Sequence, residues 1–157
     1  MVPSLLFDIS HLDLDQVQLD TAAVEATNPH RGHMRMLDGV IWMPPEMDRG
    51  VAYKDIGADE FWVAGHIPGR PLFPGVLMIE AGAQLASLIF VKRMPGMKFL
   101  GFSGVDDVKF RGQVVPGDRL LILGKQLELR PRRSICAVQG LVRGNMVFEA
   151  VITGMPM

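Results

Sequence analysis

The strongest constraint on this chain is residues 72–91, LFPGVLMIEAGAQLASLIFV, an apolar run long enough to suggest a membrane span. Glu80, Gln84 and Ser87 interrupt it. A carboxylate at the centre of a span costs several kcal/mol in hydrocarbon. The run is therefore expected to be a buried helix of about 74–93, with no membrane span. Pro74 suits a first helical position, because its missing N–H would be unpaired there. Lys92 and Arg93 match the dipole of the last turn, and Met94-Pro95-Gly96 ends it. Because the helix is apolar nearly all round, other structure must wrap it.

That wrapping has to come from the same chain. With 157 residues and 48% hydrophobic content, one domain with its own core is expected. A net charge of -1 alongside that apolar fraction excludes disorder as the main state. It also disfavours a nucleic-acid binder, since there is no basic excess. The single cysteine, Cys136, excludes an intrachain disulfide and a cysteine-rich zinc site. It lies in an alternating segment and reads as a small core residue. The start, MVPSLLFDISHLDLD, has no basic region and soon turns acidic, unlike a signal peptide. A cytoplasmic protein is expected.

The rest of the sequence reads mainly as strands. Residues 1–27 are acidic and look like a loosely attached arm, with weak helical spacing at Leu12, Leu14 and Val17. Residues 28–43 become β-like, 50–56 read as a strand and 60–65 as a short extended segment. Further strands are expected at 98–111, 117–130, 132–143 and 146–155, separated by turn signals at Pro116-Gly117-Asp118 and Gly144-Asn145. The fold class is α+β: an antiparallel sheet around one central helix.

The chemistry concentrates in GHIPGRPLFPGVLMIEAGAQ, residues 65–84. Glu80 sits among Met78, Ile79, Ala81 and Ala83, where burial would disfavour its charged form and keep a proton available for a general acid. His66 is of the type best suited to a general base near neutral pH. Gly75 falls at the helix start, where free N–H groups can hold a carbonyl oxygen as negative charge develops. Gln84, one turn after Glu80, can orient its carboxyl group. The same residue types also occur as a surface histidine and a structurally paired acid.

This segment resembles the signature of the 3-hydroxyacyl-[acyl-carrier-protein] dehydratases of the FabZ type. NPHRGHMRMLDGV, FSGVDDVKFRGQVVPGDRLLI and GNMVFEAVITG resemble, in the family's order, its opening segment, strand pair and closing strand. The resemblance implies a hot-dog fold over residues 28–157, dimerised into a continuous sheet, with trimers of dimers common. It implies His66 and Glu80 as catalytic residues drawn from different subunits, and Gly75 as the donor to the thioester carbonyl. Gln84 matches the glutamine that follows. Glutamate at 80 favours dehydration without isomerisation. Phe73 and Met78 are candidates to line an acyl tunnel, and Gly101 falls where many members carry a gating aromatic. No cofactor or metal is implied, since the phosphopantetheine arm belongs to the acyl carrier protein partner.

The other histidines carry less. His30 matches the opening motif and reads as structural, while His11 and His33 read as local; HRGH could otherwise be taken as a metal pair. Two basic clusters, Lys92-Arg93 and RPRR at 130–133, are candidate docking patches for the acidic carrier. They lie in the basic half of the chain: residues 1–90 carry 5 Lys/Arg against 12 Asp/Glu, and residues 91–157 carry 11 against 5. The alternatives are a hot-dog acyl-thioesterase and a non-catalytic acyl-thioester-binding subunit.

Overall fold

In the computed structural model, which describes residues 3–157, the apolar run forms α2 (Gly75–Arg93) at the centre of the molecule. Six strands surround it: β1 (Gly39–Trp42), β2 (Arg49–Asp55), β3 (Leu100–Phe110), β4 (Arg119–Arg130), β5 (Arg133–Val142) and β6 (Asn145–Pro156). All pairings are antiparallel, in the order β1-β2-β4-β5-β6-β3. The hot-dog α+β architecture is therefore present.

The period-two pattern assigns the two faces of the sheet. Leu120 and Ile122 of β4, Cys136 and Val138 of β5, and Phe148, Ala150 and Ile152 of β6 share a core with Leu85, Leu88 and Ile89 of α2. Gly124 keeps β4 close to the helix: a Cβ there would stand 3.0 Å from Leu85 Cδ2 and 3.1 Å from Ile89 Cδ1. Gln84 to Phe90 are buried without a break, as an all-round apolar helix requires. The first turns differ, since Val76 is 71% exposed and Glu80 only half-buried. Pro74 is the N-cap rather than the first helical residue. It still contributes no N–H to an end that could not pair one.

Elsewhere the structure departs from the sequence expectations. The short helix is α1 (Thr21–Thr27), not a segment around Leu12–Val17. Asp20 caps it, accepting from the Ala23 N–H at 2.9 Å, and it stops before Pro29. Only 39–42 of the 28–43 segment is strand; Gly32–Met34 is a turn of 3-10 helix. Residues 60–65 are turns, with the N–H groups of Gly65 and His66 both on the Trp62 carbonyl, because Trp62 is buried as an anchor while Phe61 faces outward.

The arm is not loosely attached. Leu6, Phe7, Ile9, Leu12 and Leu14 pack on the outer face of the sheet against Ile41, Val51, Leu123 and Leu141. Gln139 fastens it, accepting from the Leu6 N–H at 2.9 Å and donating to the Ser4 carbonyl at 3.0 Å. The two sheet edges also differ. Short β1 is covered by a bridge from Leu19 to Val40, whereas β3 ends the sheet bearing exposed Phe102, Val105 and Phe110.

Candidate active site

His66 lies in the loop leading into α2. The loop closes on itself, with the Leu72 N–H donating to the His66 carbonyl at 2.9 Å and the Arg70 N–H to the Ile67 carbonyl at 2.9 Å. The His66 ring joins this closure through Nδ1, 2.7 Å from the Leu72 carbonyl oxygen. A carbonyl only accepts, so Nδ1 carries the hydrogen and Nε2 is left as the basic nitrogen. The ring is otherwise exposed.

His66 stands on a cleft of about 400 Å³ whose walls include Phe73, Gly75, Met78, Phe110, Gln113 and Val114. Phe73 and Met78 are almost fully buried and give the cleft an apolar floor. Gly75 opens α2 beside them, and among the described residues its N–H has no backbone acceptor. The space here depends on glycine: a Cβ on Gly75 would lie 2.9 Å from the Phe110 ring.

The opposite wall is built by β3 and the turn after it. The Phe73 N–H donates to the Val114 carbonyl at 2.8 Å, tying the lead-in of α2 to that turn. Gly117 supplies a φ of +97°, and Asp118 folds the turn back by accepting from the Val115 N–H at 2.9 Å. Buried Asp118 also pairs with Arg143 at 2.7 Å. The sequence reading placed this PVVPGD-like segment in the strand pair without seeing it as a cleft wall. Its turn chemistry was the available signal.

Glu80 does not line this cleft. It projects instead toward the segment before β1. Gln84 Nε2 donates to Glu80 Oε1 at 2.9 Å and to the Met34 carbonyl at 2.7 Å, and Gln84 Oε1 accepts from the Met36 N–H at 2.8 Å. Asn28 adds a bond from Nδ2 to the Gln84 carbonyl at 3.0 Å. Gln84 is thus buried and fully engaged, while Glu80 keeps 25% of its side chain exposed. Its carboxyl is less buried within one chain than its apolar neighbours in sequence suggest. His30 Nε2 lies 3.6 Å from Glu80 Oε1. The HRGH pair separates, with His33 resting against Phe61.

One chain therefore gathers His66, Phe73, Gly75 and Met78 in the cleft, and Glu80 with Gln84 in a separate polar nest. No ion pair or hydrogen bond joins His66 to Glu80 among the described residues. Gly101 belongs to neither group. It lies at the start of β3, where a Cβ would come against the Met157 side chain. Cys136 is buried under the sheet, its thiol pushed up to about 12 by desolvation. That makes it a packing residue rather than a nucleophile.

Comparison with known proteins places the chain in a family. A family model described as a FabA-like domain matches residues 28–151. The chain is 35% identical over 133 residues to the 3-hydroxyacyl-[acyl-carrier-protein] dehydratase FabZ of Lawsonia intracellularis (strain PHE/MN1-00), covering 80% of this chain and 84% of that protein. Among solved structures, the dehydratase heterocomplex ApeI:P from Xenorhabdus doucetiae superposes with a TM-score of 0.70 at 16% identity, covering 85% of this chain and 90% of that one. Zebra fish thioesterase superfamily member 2 superposes with a TM-score of 0.66 at 11% identity, covering 86% and 94%. Those two likenesses show the shared fold, and the sequence matches show the lineage: the chain belongs to the FabA-like family, with the FabZ-type dehydratases.

Proposed function

We propose that this chain is a hydro-lyase that dehydrates (3R)-3-hydroxyacyl-[acyl-carrier-protein] thioesters to trans-2-enoyl thioesters in fatty-acid biosynthesis, in the cytoplasm. Identity to a FabZ dehydratase supports the reaction class. The observation that carries the mechanism is His66, fixed with Nε2 as its basic nitrogen on the lip of an apolar cleft that also holds the start of α2.

His66 Nε2 removes a proton from C2. The electron pair moves into the thioester carbonyl, whose oxygen is held by the free Gly75 N–H at the positive end of the helix. As the carbonyl re-forms, the C3–O bond breaks and the departing hydroxyl takes the proton of Glu80, leaving as water. His66 ends protonated and Glu80 ionised, so one proton passes back through solvent before the next turnover. Phe73 and Met78 receive the acyl chain.

The separation of the two groups within one chain supports a site completed by a second copy, with Glu80 supplied from across a dimer interface. The bare apolar edge of β3 and exposed Val76 at the start of α2 are the surfaces such a dimer would cover. Three such dimers could assemble further.

The carrier protein should dock near the mouth of the cleft. The clusters Lys92-Arg93 and Arg130–Arg133 converge at the far end of α2, where Arg93 bonds Gln126 and Gln126 bonds Ser134. A helix of this length puts them ~27 Å from Gly75. Arg70 is nearer: it bonds Gln113 of the cleft wall at 3.3 Å. Arg70→Glu should raise KM for a carrier-borne substrate and leave KM for a pantetheine thioester unchanged.

The test of the reaction follows enoyl absorbance with a 3-hydroxyacyl thioester and the purified protein. Enoyl product that depends on both His66 and Glu80 supports the mechanism. Release of free thiol without enoyl product would identify a thioesterase. Full activity in either His66→Ala or Glu80→Gln would overturn the assigned roles.

A further inference from the structure

The opening segment contributes a group to the nest around the acid that the mechanism above does not use. His30 precedes the 3-10 turn and faces α2, with Nε2 3.6 Å from Glu80 Oε1 and its ring 26% exposed. Its other nitrogen, Nδ1, is buried and has no hydrogen-bond partner among the described residues. The backbone around it is held independently of the ring. Arg31 Nη1 donates to the carbonyls of Asn28 and His30, each at 2.8 Å, and Arg31 Nη2 donates to the Glu25 carbonyl at 2.7 Å.

We propose that His30 is a positioning residue for the acid: with Gln84 it converges on one oxygen of Glu80, Oε1, and so leaves Oε2 as the oxygen that carries the proton toward substrate. This rests on the reading of Glu80 as the general acid.

The chemistry follows from donors and acceptors. The Gln84 amide already places one N–H on Oε1 at 2.9 Å. Among the described residues, His30 Nδ1 has no hydrogen-bond partner, while Nε2 lies 3.6 Å from that same oxygen. With no acceptor at Nδ1, the ring hydrogen belongs on Nε2. A carboxylic acid has one carbonyl oxygen and one hydroxyl oxygen. Two donors aimed at Oε1 stabilise it as the carbonyl, so the hydroxyl hydrogen resides on Oε2. The acid thereby keeps its orientation through the turnover. At 3.6 Å the His30 contact is longer than a formed hydrogen bond, and the proposed role requires it to shorten when substrate fills the site.

The ring's charge state fits this role. The charged groups facing it are Glu80 from α2 and Arg31 from its own loop, and burial holds the His30 pKa below the usual histidine value, against the pull of Glu80 and with the help of Arg31. A neutral ring donates to Oε1 without pairing as a cation with ionised Glu80, which would hold the acid in its spent form.

The test uses the full chain with a 3-hydroxyacyl pantetheine thioester. Gln presents its amide near the position of Nε2, whereas Asn ends near Nδ1 and falls short of Glu80. His30→Asn should lower kcat about tenfold or more with KM little changed, as expected when an acid is misaligned. His30→Gln should restore most of that loss. Unchanged kcat in His30→Asn, or an equal loss in both variants with a raised KM, overturns the proposal. Glu80→Gln measured alongside separates the two levels: if it retains full activity, the acid assignment itself falls. Should His30→Asn fail to fold, imidazole nitrogen shifts of the wild-type protein decide the matter. An Nε2–H tautomer is expected, and an Nδ1–H tautomer overturns the proposal.

Discussion

The cleft beside His66 and the nest around Glu80 hold their reactive groups by opposite means. His66 sits on an exposed loop, and one backbone carbonyl, that of Leu72, sets its tautomer. Glu80 sits on the central helix, and side chains aim it: Gln84 bridges from the acid to the backbone of Met34 and Met36. A base needs only one nitrogen kept bare, which a single acceptor achieves. An acid needs one particular oxygen protonated, which takes donors on the other. The cleft is therefore apolar and shaped by packing, and the nest is polar and shaped by the hydrogen bonds of Gln84.

The largest expected effect tests whether the two regions work as halves of one site. His66→Ala and Glu80→Gln should each cut kcat by about 10²–10⁴-fold. Mixing the two inactive variants under conditions that exchange subunits should return about a quarter of wild-type activity, because half the dimers are mixed and each mixed dimer holds one intact site. No recovery in a sample shown to have exchanged would mean the halves do not meet across copies.

Next in size is the loss of the nest's bridge. Gln84→Ala orphans the buried Met36 N–H, at a cost of roughly 1–3 kcal/mol, and frees the part-buried Met34 carbonyl, which water can reach. Urea unfolding should show that loss, and kcat should fall with it. A stable, fully active Gln84→Ala protein would show that the bridge is dispensable. The cleft should respond differently. Gly75→Ala forces the Phe110 ring to move from a Cβ only 2.9 Å away, so turnover should drop about tenfold. Its melting temperature should stay level or rise slightly, since alanine favours the helix. Parallel losses of stability in both variants would erase the contrast.

A smaller effect appears with pH. Burial, with the help of Arg31 and against Glu80, lowers the native His30 pKa from 6.5, so the unfolded chain takes up that proton more readily. Its contribution is undiminished above pH 6.5 and shrinks as pH falls from 6.5 toward the lowered native value. The urea midpoint of wild type should therefore drop more between pH 7.5 and 5 than that of His30→Gln. Equal drops would place His30 in water rather than in the nest. The smallest effect is at Cys136, whose thiol at about 12 should resist a thiol reagent at neutral pH until urea unfolds the chain.

The apolar run with its single acid announced the central helix and marked Glu80 as a candidate, because an acid among Met78, Ile79 and Ala81 needs either a structural partner or a chemical use. Strand patterning and turn signals read β2 to β6 to within a residue or two, and the Pro-Gly-Asp turn was visible in its residue types. Where local signals competed, the sequence misled. Leu12, Leu14 and Val17 have weak helical spacing, yet Leu12 and Leu14 cover the outer sheet face, and the helix went to Thr21–Thr27, where Asp20 could cap it. Trp62 and its neighbours look extended, but burying one indole pulled the segment into turns. His30 could be matched to a motif but not given a purpose, since its contact with Glu80 spans fifty residues.

By itself the sequence determined the wrapped helix, most strands of the antiparallel sheet around it, and the residue types able to move two protons. Those follow from local periodicity, turn chemistry and the cost of burying charge. Only the tertiary structure decided which groups share a surface. It set His66 with Gly75, Phe73 and Met78 in one cleft and turned Glu80 away toward Gln84 and His30. It also left the edge of β3 bare. The physical reason is that helical and strand periods fix the face on which a side chain lies, whereas packing across the whole chain fixes what that face meets.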